Sequence, residues 1–108
     1  MAKEFLGEFE ELVLTLVAGL QDEAYGAAIA EEIENRLKRV VTLSAVHVTL
    51  YRLDDKGYVT SKVGGATKER GGRRKRIYSV TSAGMAMLKV MKEARVDLWK
   101  MVPQLKMS

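Results

Sequence analysis

The chain has 108 residues, no cysteine, one histidine and a formal net charge of +4, which excludes a disulfide framework, thiolate chemistry and the usual histidine-rich metal centres. That length makes one domain with a modest core, small enough for a second copy to matter to its stability. The charge is laid unevenly: residues 1–35 carry nine acids against one base, residues 36–80 twelve bases against three acids, and residues 81–108 five bases against two acids, so a polyanion would sit against the middle third.

The amino terminus is not signal-like, and the apolar stretch 12–20 is stopped by acids at 22 and 23. A soluble, cytoplasmic protein is therefore expected. Within FEELVLTLVAGL, Phe9, Leu12, Val13, Leu16, Val17 and Leu20 recur at helical spacing and predict a buried first helix. AYGAAIAEEIENRL follows, with Tyr25, Ile29, Ile33 and Leu37 four apart and the glutamates on other faces, which predicts a second, amphipathic helix. Thr42 is a helix cap and Gly57 a stop, so residues 43–56 are predicted as the third helix. Its apolar stripe is Leu43, Val46, Leu50 and Leu53. The other side carries Ser44, His47, Val48 and Tyr51, flanked by Ala45, Thr49, Arg52 and Lys56. A face that only met water would more often be lysine and glutamate, so this one looks built to touch something.

Residues 58–63 and 76–81 alternate and are rich in β-branched and aromatic types, which predicts a hairpin. Its tip holds six basic residues within nine positions, Lys68, Arg70, Arg73, Arg74, Lys75 and Arg76, bounded and split by glycine pairs. From Ser82 the period is helical again, and Met87, Met91, Ala94, Leu98 and Met101 form a heptad-like seam that Pro103 ends near Val102. Together with Phe5 and Phe9 this seam exceeds what a three-helix core needs, so these residues are expected at a dimer interface. The alternative is that the last helix folds back on the first within one chain.

Three helices and a two-stranded ribbon make an α+β chain of the winged helix-turn-helix type over 1–81, with a dimerisation helix and short tail over 82–108. A helix of this width fits a major groove, and a basic ribbon beside it can straddle phosphates. The candidate contacts are Ser44, Ala45, His47, Val48, Thr49, Arg52 and Lys56 on the third helix, and Lys68, Arg70, Arg73, Arg74, Lys75 and Arg76 on the wing. Arg52 and Lys56 suit phosphates, and His47 a base edge or a phosphate. Each has a plainer reading: the basic tip as a solvated loop, His47 as an ordinary surface or core histidine, Ser44 and Thr49 as surface fillers. No P-loop ending, paired-carboxylate cleft or nucleophile and base pair is visible, so neither catalysis, a metal nor a cofactor is expected.

With these pieces in order, the sequence resembles the PadR family of transcriptional regulators. The resemblance rests on LGEFEELVLTLV (6–17), EAYGAAIAEEIE (23–34), LSAVHVTLYRLDDKGYV (43–59) and ERGGRRKRIYSVTSAGMAML (69–88). The wing followed by SAG is its most specific part. Tyr25 and Gly26 match the family's second-helix signature, Leu50, Arg52, Leu53 and Gly57 its recognition-helix signature, and Arg73, Arg74, Lys75 and Tyr78 its wing. His47 stands where members usually have tyrosine, a departure that bears on operator preference or on pH sensitivity, not on the fold.

The resemblance implies a homodimeric repressor of bacterial or archaeal type that binds an inverted-repeat operator in double-stranded DNA. The single helix after the wing is similar to the short subgroup, whose dimers are held by the last helix together with the first. Several such members sense planar aromatic or multidrug-like effectors at the dimer interface, with a tryptophan of the last helix stacking on the ligand. Trp99 sits at a comparable place, with Met91, Leu98 and Arg95 around it as ligand-binding candidates. A lone tryptophan among methionines also makes an ordinary interface anchor. Two other readings of the basic surface stay open: a general nucleic-acid or chromosome-coating protein, and a module whose third helix meets another polypeptide. The ratio of operator to random-sequence affinity separates the first from a repressor, and tolerance of charge-reversed wing arginines separates the second.

Overall fold

The computed structural model describes residues 4–66 and 74–103. In chain order the elements are α1 (Glu8–Leu20), a 3-10 turn (Gln21–Glu23), α2 (Gly26–Leu37), α3 (Leu43–Asp55), β1 (Val59–Ala66), β2 (Arg74–Val80) and α4 (Ser82–Trp99). This is the expected α+β winged helix-turn-helix with a further helix. No single helix among the described residues is long and apolar enough to cross a membrane.

The Gly7 N–H at the start of α1 donates to Glu10 Oε1 at 3.3 Å. Glu8, Glu10 and Glu11 fill the first turn, where the positive end of the helix dipole favours them. Because α1 meets α2, α3, β2 and α4, its buried arc is wider than one stripe. Leu14, which the predicted stripe omits, is fully buried beside Val13 and Val17, while Phe9, Leu16 and Leu20 pack at the rim of the core.

The second helix starts two residues later than its periodicity predicts. Tyr25 is extended at φ −122° and ψ 163°, and the Ala24 carbonyl accepts from the Tyr78 N–H of β2 at 2.8 Å. A carbonyl taken by the ribbon is withdrawn from a helical ladder. Ile29 and Ile33 are buried as expected, Lys38 closes the helix in the left-handed region at φ 54° and ψ 38°, and Leu37 is exposed.

Thr42 caps α3 as predicted, its hydroxyl oxygen accepting from the Ala45 N–H at 3.0 Å. The buried stripe differs from the expected one at two positions. Leu43 is half exposed, and Thr49 is buried with Val46, Leu50 and Leu53. Threonine is tolerated there because its Oγ1 donates to the Ala45 carbonyl at 2.8 Å, which satisfies the hydroxyl within its own helix.

Gly57, at φ +82°, makes the turn out of α3 that only a residue without a Cβ takes easily. The strands pair antiparallel from Val59 with Val80 to Val63 with Arg76, and an irregularity follows before Ala66 meets Arg74. Thr81 ties the base of the wing to the last helix. Its Oγ1 donates to the Gly57 carbonyl at 2.7 Å and accepts from the Gly84 N–H at 3.0 Å, capping α4.

The last helix ends at Trp99, ahead of the predicted Val102. Its seam divides in two. Met87 and Met91, expected at a dimer interface and Met91 also at a ligand site, are buried in the core of the single chain. Along this half α4 lies against α1, and the Arg95 guanidinium pairs with Glu11. Ala94 is partly buried, while Leu98 and Met101 are exposed beyond it.

Candidate nucleic-acid interface

The outer side of α3 is held outward by what is buried beneath it: Val46, Leu50 and Leu53 are each 0% exposed. On that side Ser44, Ala45, His47, Val48, Tyr51, Arg52 and Asp55 are exposed, and Tyr51 reaches 78%. Ser44, Val48, Tyr51 and Asp55, spaced four, three and four, run as a line along its middle. Of these four, Tyr51 is expected on the outer face but is not among the candidate contacts, and Asp55 is expected in neither. The spacing alone could have found Asp55, but the pair of aspartates reads in sequence as part of the helix stop.

The His47 imidazole leans on the first turn of α2. A Cβ at Gly26 would lie 2.7 Å from its Cε1 and 3.0 Å from its Nε2, so the glycine makes room for the ring. His47 is thus a border residue, packed on one side and open on the other. The first turn of α2 bears no acid, whereas that of α1 carries three, which leaves the α2 N–H groups suited to an anion.

The wing approaches the same corner. Lys75 Nζ stands 4.0 Å above the centroid of the Tyr25 ring, turned toward the body of the domain. Arg76, on the alternate side of β2, is exposed and donates from Nη1 to Ser61 Oγ at 3.0 Å across the ribbon. Burial pushes the Tyr78 phenol above its ordinary pKa, with Arg76 pulling the other way, so the base of the wing carries a neutral ring. The expected contacts Lys68, Arg70 and Arg73 lie outside the described residues, and of Arg74 the structure describes its backbone place in β2.

Two of the expected contacts have partners within the chain. Thr49 is 5% exposed and bonded to its own helix, so it offers nothing to the outer side. Lys56 Nζ lies 2.9 Å from Glu10 Oε1 on α1, and its position along α3 is on the flank, away from the line through Val48. Arg39 likewise pairs with Glu8 at 3.0 Å while stacking on Phe9. The three glutamates at the head of α1 therefore each hold a base, from the loop after α2, from the end of α3 and from α4. Arg52 has no ion pair among the described residues.

The end of α4 presents an apolar surface: Leu98, Trp99 and Met101 are 62%, 52% and 77% exposed. Phe5 is half exposed and lines an open hollow of about 710 Å³ with Leu6, Tyr58 and Met87. Among the described residues no group of three histidine, aspartate or glutamate side chains could hold a metal ion.

Solved structures share this architecture. A PadR-like transcription factor from Bacteroides fragilis is 17% identical with a TM-score of 0.73, covering 91% of this chain and 89% of its own. A PadR-like transcriptional regulator from Bacillus cereus is 18% identical with a TM-score of 0.73, covering 90% of this chain and 89% of its own. PadR of Bacillus subtilis, in complex with operator DNA, is 20% identical with a TM-score of 0.66, covering 78% of this chain and 46% of its own. At these identities the likeness is one of fold. No curated protein matches the chain significantly. The model of the PadR-like transcriptional regulator family matches residues 13–90, from the core of α1 through the helix-turn-helix and wing into α4, and the chain belongs to that family.

Proposed function

We propose that this protein is a sequence-specific, double-stranded-DNA-binding repressor that acts as a homodimer on an inverted-repeat operator. The outer side of α3 carries the reading: an exposed face with His47, Val48 and Tyr51 and an uncharged start, set beside a basic ribbon. A coating protein needs charge alone, whereas a face of this mixed chemistry suits base edges. The operator complex of the Bacillus subtilis protein, which has the same fold, supports the assignment. Two copies of α3 would enter successive major grooves about 34 Å apart, with Ser44, Ala45, His47 and Val48 toward the bases and Arg52 toward the backbone. Arg74, Arg76 and the basic tip, Lys68, Arg70 and Arg73, would follow the flanking phosphates.

The exposed end of α4, Leu98, Trp99 and Met101, together with Phe5 and the rim residue Phe9, is the surface for the second copy. Trp99 is the ring on which a planar aromatic effector would stack to release DNA. Placing glutamate at both 98 and 101 is expected to give a monomer by analytical ultracentrifugation and to weaken operator binding about a hundredfold, as loss of bivalency does.

The function is tested by titration against the upstream intergenic DNA of its own gene and against a scrambled duplex at about 150 mM salt. A repressor acting there prefers the first by about 10³-fold or more. Equal binding to it, and to duplexes selected from a random pool, would leave a coating protein. Lys56→Met is expected to leave the salt slope of that binding unchanged, because the Lys56 ammonium is held by Glu10. A slope reduced by about 0.9 for each protomer would return Lys56 to the phosphates.

A further inference from the structure

Val48 stands at the middle of the outer line of α3, 49% exposed, between Ser44 one turn before it and Tyr51 one turn after. Its isopropyl group neither donates nor accepts a hydrogen bond. On the major-groove edges of the base pairs every recognisable group but one is a donor or an acceptor, and the exception is the 5-methyl group of thymine. A valine pressed on an amino group or a carbonyl oxygen would strip that group of water and give it no partner. Pressed on a methyl, it loses nothing and removes apolar surface from water.

The ends of the line determine which part of it goes deep. Asp55 is exposed three turns beyond Ser44, at the carboxyl end of α3, and Asp54 is exposed beside it. Two carboxylates are repelled by a phosphate backbone, so the amino-terminal turns enter the groove and the last turn stays out. Val48 is then at the depth of the bases.

Resting on the reading of the chain as an operator-binding protein, we infer that Val48 is a specificity determinant that reads one thymine in each half-site through its 5-methyl group. Ser44 and Tyr51 flank it with hydroxyl groups for the neighbouring bases or phosphates, and the aspartates orient the helix.

The test uses the full chain and an operator selected from random duplexes. Each thymine is replaced in turn, symmetrically in both half-sites, by deoxyuridine, which removes the methyl and keeps the base pair. Wild type is expected to show one symmetric pair whose replacement weakens binding about fifteenfold, about fourfold per half-site, the value of one buried methyl. Val48→Ser, checked for an unchanged thermal melt, is expected to bind the thymine and deoxyuridine forms equally. If wild type prefers its operator over scrambled DNA yet no deoxyuridine pair matters, the inference is overturned and DNA recognition stands. The same holds if Val48→Ser keeps the wild-type sensitivity. If selection yields no preferred sequence, the operator reading falls, and the role of Val48 with it.

Discussion

Replacing Arg73, Arg74 and Arg76 together with glutamine is expected to flatten the salt dependence of operator binding by about 2.7 in the slope of log K against log salt for each wing, close to one counterion per arginine. Affinity at low salt falls most, and discrimination between operator and scrambled DNA changes little, because phosphate contacts position a protein without reading sequence. The fold should not change. Arg76 is exposed, and its described bond is to Ser61 across the ribbon, while the pairing from Val59 with Val80 to Val63 with Arg76 is made by backbone. The measurement is a set of binding isotherms at four or more salt concentrations for wild type and variant. An unchanged slope would take the wing out of the interface and leave α3 alone on the DNA. Asp55→Asn runs the other way: loss of a carboxylate at the end of the outer line should raise affinity for operator and random DNA together, and an unchanged affinity would mean that this end of α3 lies clear of the phosphates.

Gly84→Ala is expected to have the largest effect on stability of any single methyl added to the chain. The glycine is buried in the first turn of α4, where a Cβ would come within 2.8 Å of Val80 Cγ2 and closer still to the Tyr58 carbonyl oxygen. Backbone cannot withdraw as a flexible side-chain end can, so the helix must lift from the base of the wing. Overpacking of this kind costs about 1–3 kcal/mol. The loss spreads because the junction is also where the Thr81 N–H donates to the Tyr58 carbonyl at 2.9 Å and where Thr81 caps α4. Chemical denaturation should show a lower midpoint at unchanged denaturant dependence. A midpoint equal to wild type would show that α4 shifts without cost, and the rigid coupling of wing to last helix would then be lost as a structural claim. Leu50→Ala is the comparison: it removes a fully buried side chain beneath the α3 face and should cost about 2–5 kcal/mol, lowering operator affinity through the folded fraction and leaving sequence preference as it was.

Much of this molecule is local in origin and was legible in the residues. Helical periods, the Thr42 cap, the Gly57 stop and the β-branched alternation each depend on neighbours within a few positions, so the order of elements and the outward side of α3 follow without tertiary information. The uneven charge, the mixed α3 face and the basic wing needed no fold to be recognised as features that point outward.

Tertiary structure decided which of several amphipathic options each long side chain takes. The seam of α4 has one period along its length, and only its packing on α1 separates Met87 and Met91, which fill the core, from Leu98 and Met101, which stay open. Nothing local in the residues shows that Lys56 stands beside Glu10, 46 residues earlier, or Arg95 beside Glu11. Thr49 and Leu43 exchange burial because a threonine can satisfy its hydroxyl on its own helix, and the direction from which neighbours approach is not encoded in the period of that helix. His47 against Gly26 and Lys75 above Tyr25 are meetings of the same kind. Periodicity states which side of an element is apolar; the choice of partner is made across the chain, by whichever distant group the fold brings within a few ångströms.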